Sequence, residues 1–304
     1  MAVRKRPPLL RALGANEPPR QVTVGGAQYE LTLRLKHDSW AATAVYAAEK
    51  GERIICKFGR TQSVLGIPMS WLGRLLARRE SRFLRRLDHI DLVPTDLGPV
   101  ASGGRIVPNA IARTYVEGHP FRHPPADREA FFAQLCRLID DLHAAGMAYV
   151  DLHKRENVII DTDGRPHLID FQVCIATGPR WPGNGRLMRF LVRKLQEMDD
   201  YHFRKHFARC MADRLSPDEV RRLATPPGFI RVHKLLAVPL RTLRRRLLAA
   251  LKVRARGGRA DTELEPEDAF RSPTTRGSDL PRKLQNNGRS GFRSPTDQIR
   301  SRSR

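Results

Sequence analysis

One stretch of this chain concentrates side chains that could do chemistry. It reads Tyr149-Val-Asp-Leu-His-Lys-Arg-Glu-Asn157 and is followed, after a short apolar run and a turn, by Leu168-Ile-Asp-Phe-Gln172. Asp151 and Asn157 stand in a polar loop. Asp170 closes the second of two apolar runs, Val158–Ile160 and Leu168–Ile169, joined by the turn Asp161-Thr-Asp-Gly164. Phosphoryl transfer needs a carboxylate to orient and deprotonate an acceptor hydroxyl, and oxygen ligands for the magnesium that neutralises nucleotide phosphates. Asp151 suits the first role; Asn157 and Asp170 suit the second. Acidic residues in turns are ordinary, so this triplet alone decides little.

The upstream sequence gives it weight. Lys57 interrupts the apolar strand pattern Ile54-Ile-Cys-Lys-Phe58, where a solvated lysine is out of place. Glu80 is the only acid between Arg53 and Leu87, on a helical segment otherwise decorated with arginine. Charge balance on a helix surface would explain Glu80 by itself. With Lys57 before it and the Asp151–Asp170 hairpin after it, the order fits a lysine that reaches nucleotide phosphates and is held by a helix glutamate.

The elements that must position these residues are legible as patterns. Tyr29–Leu35 alternates apolar and polar, Ala44–Ala47 is short and apolar, and Arg53–Phe58 is a further strand, set off by the turn Glu49-Lys-Gly-Glu52. Ser70–Leu87 has helical spacing, with Leu72, Leu75, Leu76, Phe83, Leu84 and Leu87 predicted to face inward. Strands are expected around 99–116. A second helix, Asp127–Ala145, carries Phe131, Leu135, Leu138, Ile139 and Leu142 on one face and stops at Gly146. A third helical segment covers 187–210, where Asp199 or Asp200 could anchor the catalytic loop or simply be solvated. Strands with one helix among them, then helices around a hairpin, predict an α+β fold of two lobes.

Composition sets the remaining bounds. The chain has 304 residues and a formal charge of +23, so its natural partners are anionic. No run approaches the roughly 20 apolar residues that span a bilayer, and the N-terminus lacks the apolar core of a secretory signal. Four cysteines without a CxxC pair speak against a zinc ribbon or disulfide framework and for a reducing cytoplasm. Residues 229–256 hold nine basic side chains and no acid, with Leu236, Leu240, Leu243, Leu247 and Leu251 at helical spacing. That segment is expected either to pack on the body or to lie on an anionic surface. The Ser-, Pro- and Arg-rich tail repeats FRSPT at 270–274 and 292–296 and is expected to be mostly disordered. The expected divisions are a flexible N-terminus 1–21, an N-lobe 22–116, a C-lobe 117–228, the basic helix 229–256 and the tail 257–304.

Over residues 28–210 the sequence resembles the protein-kinase-like superfamily, and most of all the bacterial lipopolysaccharide-core sugar kinases (Kdo and heptose kinases) with their RIO/Bud32-type relatives. The resemblance implies Lys57 as the strand lysine, Glu80 as its helix partner, Asp151 as the catalytic aspartate, and Asn157 and Asp170 as magnesium ligands. It places ATP against Val45 and the lobe-connecting segment Thr114-Tyr-Val-Glu-Gly118, with Tyr115, Val116 and Glu117 at the adenine. Several positions depart from the pattern. The glycine-rich phosphate loop becomes Lys36-His-Asp-Ser-Trp-Ala-Ala-Thr-Ala-Val45, in which Ala41, Ala42 and Ala44 still permit close backbone approach. His-Arg-Asp becomes Tyr149-Val-Asp151, which leaves no arginine to receive an activation-loop phosphate. Asp-Phe-Gly becomes Asp170-Phe-Gln172. Asn157 follows Asp151 by six residues where five is usual, so either the loop bulges or the catalytic assignment shifts. His153 resembles the histidine that some small-molecule kinases place beside the catalytic aspartate.

The implied activity is ATP- and magnesium-dependent transfer to a hydroxyl, first on a lipopolysaccharide-core sugar or related envelope glycolipid. The alternatives are a protein serine or threonine, or a pseudokinase that only binds. The implied location is cytoplasmic, peripheral at the inner face of the membrane, with an anionic glycolipid or membrane surface as partner. Specific nucleic-acid binding has only the charge in its favour, because aromatic residues are not interleaved with the basic ones.

Overall fold

The computed structural model describes residues 7–64, 66–123, 125–179, 183–225 and 228. Two lobes follow one another along the chain. The first is an eight-stranded antiparallel sheet made of β1 (Gln21–Val24), β2 (Ala27–His37), β3 (Ala41–Ala47), β4 (Arg53–Gly59), β5 (Asp96–Gly98), β6 (Val100–Ser102), β7 (Arg105–Ile106) and β8 (Ala110–Thr114). Their spatial order is β5-β8-β4-β3-β2-β1-β6-β7, with α1 (Ser70–Arg86) packed on β4 and β8. The second lobe holds β9 (Gly118–Pro120), α2 (Arg128–Ala144), β10 (Met147–Ala148), the hairpin β11 (Val158–Asp161) and β12 (Pro166–Leu168), then β13 (Ile175–Ala176), α3 (Arg186–Cys210) and α4 (Pro217–Ala224). This is the α+β architecture of two lobes that the sequence pattern predicts.

The central strands are apolar on both faces because both faces are covered. On one side Tyr46, Ile54 and Phe58 join Val22, Val24 and Val100 in a core of their own. On the other, Leu35, Val45 and Ile55 form a small cluster with Tyr115. The main core lies in the second lobe. Phe121, Phe131, Phe132, Phe203 and Phe207 meet mostly edge to face, with ring centroids 5.0 to 6.0 Å apart. Asp127 opens α2 by accepting a bond from Ala130 N at 2.9 Å, so the helix starts one residue after the aspartate that caps it.

Two glycines set how closely α1 meets the sheet. A Cβ on Gly73 would lie 2.2 Å from the Arg60 carbonyl oxygen, and one on Gly59 would lie 2.7 Å from that of Gly73. Backbone therefore rests on backbone at the start of the helix. From there α1 runs back along the cleft with Ala77, Glu80, Phe83 and Leu84 buried.

Several expectations need correction. Leu75 is 53% exposed, and Leu72 and Leu76 are only half-buried, because the inward stripe is shifted to Gly73, Ala77, Glu80 and Leu84. A glutamate occupies an inward position that an apolar count passes over. Within the N-terminal stretch 1–21, Pro8–Leu10 form a 3-10 turn, and Arg11 and Ala12 are buried against the β2–β3 turn. The strands β1 and β9 and the helix α4 lay outside the sequence reading; α4 carries a full capping box between Ser216 and Glu219. The basic segment 229–256, the tail and its FRSPT repeat lie outside the described residues. Among those described, no helix is long and apolar enough to cross a membrane, and the four cysteines are free and buried.

Candidate active site

A cleft between the lobes collects the residues singled out by type and spacing. Lys57 projects from β4, whose neighbours β3 and β8 hold its backbone at Thr43 and Ile111. Its Nζ donates to Glu80 Oε2 at 2.8 Å and to Asp170 Oδ1 at 2.7 Å. Glu80 is almost wholly buried, whereas Asp170 keeps a quarter of its side chain open to the cleft. Burial alone would lower the Lys57 pKa, but Asp170 and then Glu80 outweigh it and raise it, so the ammonium is firmly charged. Burial pushes Asp170 up, yet Lys57 wins and holds it below the usual carboxylate range. Glu80 moves the other way: burial raises it, against the pull of Lys57, and the charge on Asp170 adds to the rise.

The loop from Tyr149 to Asn157 is anchored from beneath by α3. Asp199, fully buried, accepts from Tyr149 N at 2.7 Å and from Val150 N at 2.8 Å. Those bonds hold Val150 at φ 72°, a left-handed conformation that costs a β-branched residue about 1–3 kcal/mol. Tyr149 OH donates to the Ile169 carbonyl, and the ring of His206 bonds the Leu152 carbonyl at 2.8 Å. The strained turn sets Asp151, itself buried, against Lys154 and Asn157, which line the cleft.

The six-residue step from Asp151 to Asn157 ends in a 3-10 turn over Arg155–Asn157. Lys154 N bonds Asp151 O and Asn157 N bonds Lys154 O, each at 3.1 Å, so two successive tight turns keep the span short. Asn157 Nδ2 still donates to Asp151 Oδ2 at 3.2 Å, and Ile169 N bonds the Asn157 carbonyl at 3.0 Å. Lys154 Nζ donates to the same Asp151 Oδ2 at 2.5 Å, and His153 Nδ1 lies 3.4 Å from Oδ1. Asn157, Asp170, Lys57 and Glu80 thus line one cleft, with Asp151 directly behind Asn157 and Lys154. Val45 and Tyr115 meet in the apolar cluster with Leu35 and Ile55. Val116 is half-buried beside them, and Glu117 points outward to Arg53 at 2.9 Å.

The donor set suits a hard cation. Asn157 spends its amide nitrogen on Asp151, which leaves its oxygen, and Asp170 spends only Oδ1 on Lys57. Among the described residues no group of three or more His, Cys, Asp or Glu could hold a metal by itself. Magnesium bound through one or two side chains plus phosphate oxygens and water has no need of one.

Four functional candidates escaped the sequence reading. Lys36 lines the cleft from the end of β2, Asp38 from the β2–β3 turn and Arg113 from β8, and Lys154 lies against Asp151. Arg113 is buried, and its charge favours ionised Glu80. It carries the same signal that exposed Lys57, a cation inside an apolar strand run, here Ala110-Ile-Ala-Arg-Thr114.

No protein-family model matches this chain, and no curated protein matches it. Among solved structures it is similar to the Rio2 kinase from Chaetomium thermophilum in complex with ADP/Mg2+-phosphoaspartate, with a TM-score of 0.47 and 18% identity. That match covers 66% of this chain and 63% of the other. A second structure of the same kinase gives a TM-score of 0.45 and 20% identity, covering 66% and 64%. The chain therefore spans less than two thirds of the length of either.

Proposed function

We propose that the protein is an ATP- and magnesium-dependent phosphotransferase that acts on a hydroxyl acceptor. The observation that carries this reading is Lys57, clamped between Glu80 and Asp170 in the same cleft as Asn157, which bonds Asp151. A lysine held by a buried glutamate is positioned for phosphate oxygens, and a carboxylate pinned by its own loop is positioned for an acceptor proton.

The chain's own groups divide the work. Val45, Ile55 and Tyr115 offer an apolar surface for a planar base, and the backbone between Thr114 and Gly118 offers it hydrogen bonds. Lys57 exchanges Asp170 for nucleotide phosphate and keeps Glu80. Asp170 and Asn157 would provide oxygens for magnesium, whose charge would offset that of the transferring phosphoryl group. Asp151 Oδ1 takes the acceptor proton. Lys154, already against Asp151, faces the charge that develops between donor and acceptor.

The acceptor we favour is a sugar hydroxyl on an anionic envelope glycolipid. The start of α3 supports it. Leu187, Phe190 and Leu191 share one helix face and are 80%, 51% and 41% exposed. Arg186, Arg189, Arg193 and Lys194 flank them, and no acid precedes Glu197 on that helix. Apolar side chains among cations fit the boundary of an anionic lipid surface.

The test is incubation with labelled ATP, magnesium and separated glycolipid and protein fractions. Label should enter the glycolipid fraction with wild-type protein and fall by on the order of a hundredfold with Asp151→Asn. Label in protein alone moves the acceptor to serine or threonine. Stabilisation by nucleotide with no transfer to any fraction leaves a binding module.

A further inference from the structure

The β2–β3 turn, which lines this cleft with Asp38, Trp40 and Ala41, contains no glycine. Asp38 Oδ1 accepts from Trp40 N at 2.7 Å and from Ala41 N at 3.0 Å. The backbone N–H groups that a glycine-rich loop would turn toward phosphate are therefore already engaged by a carboxylate of the turn itself. Asp38 Oδ2 lies 3.0 Å from Lys36 Nζ. Lys36 and Lys57 line the same cleft, so each lysine rests on a carboxylate there: Lys36 on Asp38, and Lys57 on Asp170.

The turn is also held from behind. Ala12 N bonds Asp38 O at 2.7 Å, Ser39 Oγ bonds Leu10 O at 3.0 Å, and Leu13 N bonds the His37 ring at 3.1 Å. Arg60, buried beneath, donates to Ser39 O at 2.6 Å and to Leu9 O at 3.0 Å. A turn tied at these points to residues 9–13 is poorly placed to fold down over a ligand. A long side chain on the strand before it is under no such restraint.

We propose that Lys36 is a second phosphate-binding lysine, reaching the nucleotide from the roof of the cleft, with Asp38 as the resident counter-ion that the phosphates displace. The proposal rests on the nucleotide reading given above and adds the residue that stands in for the missing glycines. Asp38 keeps its two backbone bonds through Oδ1, so the turn holds its shape while Oδ2 gives up the ammonium. Burial would lower the Lys36 pKa, but Asp38 and, more weakly, Asp170 raise it, so the group arrives charged.

The test is equilibrium binding of Mg-ATP, Mg-ADP and adenosine to the full chain, with melting curves of each variant taken without ligand. Lys36→Met should weaken both Mg-nucleotides by about tenfold, the worth of one charge-assisted hydrogen bond, and leave adenosine unchanged. Lys36→Arg should keep most of the affinity. Asp38→Asn preserves the acceptor for Trp40 N and Ala41 N but removes the competing charge, so it should tighten Mg-ATP by about threefold, and less so at high salt. A purely structural lysine would affect adenosine and nucleotides alike. The proposal is overturned if Lys36→Met binds Mg-ATP as wild type does, if it loses adenosine equally, or if Lys36→Arg fails as badly as Lys36→Met. Wild type that binds adenosine or nothing, with no gain from phosphates, overturns the nucleotide reading itself.

Discussion

Asp199 is where the fold of the second lobe becomes the geometry of the cleft, and Asp199→Asn tests that link. The carboxylate is fully buried and uses both oxygens, one for Tyr149 N and one for Val150 N. Asparagine has a single oxygen, so one backbone N–H must face an amide NH2 instead. Losing one charge-assisted bond costs about 1.5–3 kcal/mol, and leaving a buried N–H unpaired adds about 1–3 kcal/mol. Part of this is offset, because burial raises the Asp199 pKa despite His143 and the two N–H groups, so holding the charge there is itself costly. A raised carboxylate pKa means the folded state binds the proton more tightly. The Asp199 contribution is then greatest at low pH and diminishes as pH rises through the folded pKa. The net loss should be about 2–4 kcal/mol, or roughly 5–15 °C in Tm for a domain of this size. Transfer should suffer more than stability, since Val150 is then free to leave φ 72° and carry Asp151 with it. We expect single-turnover transfer to fall about a hundredfold in protein that is still folded at the assay temperature. Val150→Gly, which accepts that φ without strain, should raise Tm by an amount worth about 1 kcal/mol. A melting curve for Asp199→Asn that overlays wild type, or transfer within twofold of it, would refute the reasoning.

Other expected outcomes follow from the same contacts. Lys57→Met should abolish transfer and also cost about 3–5 kcal/mol in urea unfolding, because it leaves Glu80 buried without its partner; adding Glu80→Gln should recover much of the stability and none of the activity. Gly73→Ala should lift α1 from the Arg60 backbone, lowering both Tm and Mg-ATP affinity while adenosine binding holds, and unchanged Mg-ATP affinity would count against a rigid α1 as the mount for Glu80. His206 is buried neutral against the Leu152 carbonyl, with its pKa pushed down from 6.5 to about 4 by burial. The unfolded chain takes up that proton first, so stability should drop by about 3 kcal/mol as pH falls from 6.5 to 4, and His206→Gln should flatten that part of the curve.

What the sequence disclosed was whatever local pattern controls. The strands β3 and β4, the helices α1 and α2 and the β11–β12 hairpin are set by alternation, helical spacing and a turn, and each lies within a few residues of its expected bounds. The inward face of α1 was misjudged for a physical reason. Its burial is dictated by the Gly73 contact and by Lys57 across the cleft, neither of which leaves a mark on leucine spacing. The N-terminal residues were passed over because Pro-, Gly- and Asn-containing sequence has no period, though Arg11, Ala12 and Leu13 tie down the β2–β3 turn through long-range bonds. Lys36 and Asp38 carry no such signal, since nothing in their order says that one carboxylate would serve two backbone N–H groups and a lysine.

The six-residue spacing from Asp151 to Asn157 shows why order in sequence can be firmer than distance in sequence. Against the pattern that the sequence resembles, the Asp151–Asn157 loop counts one residue too long, and realigning from Lys154-Arg-Glu-Asn157 would move the aspartate. The cleft, however, constrains atoms rather than indices. Asp151 is fixed from its N-terminal side by the Asp199 bonds to Tyr149 and Val150, and Asn157 from its C-terminal side by Ile169 N in the hairpin. With both ends tied, an added residue can go only into the span between them, and a 3-10 turn absorbs it at the cost of tighter winding. It follows that deleting Arg155 should be tolerated less well than the one-residue-shorter pattern suggests. Arg155 stacks on Phe121 at 4.3 Å, so the inserted length has become part of the packing beneath the loop. Arg155 deletion should therefore lower Tm even where Asp151 and Asn157 regain their hydrogen bond, and a deletion variant as stable as wild type would show the extra residue to be mere slack.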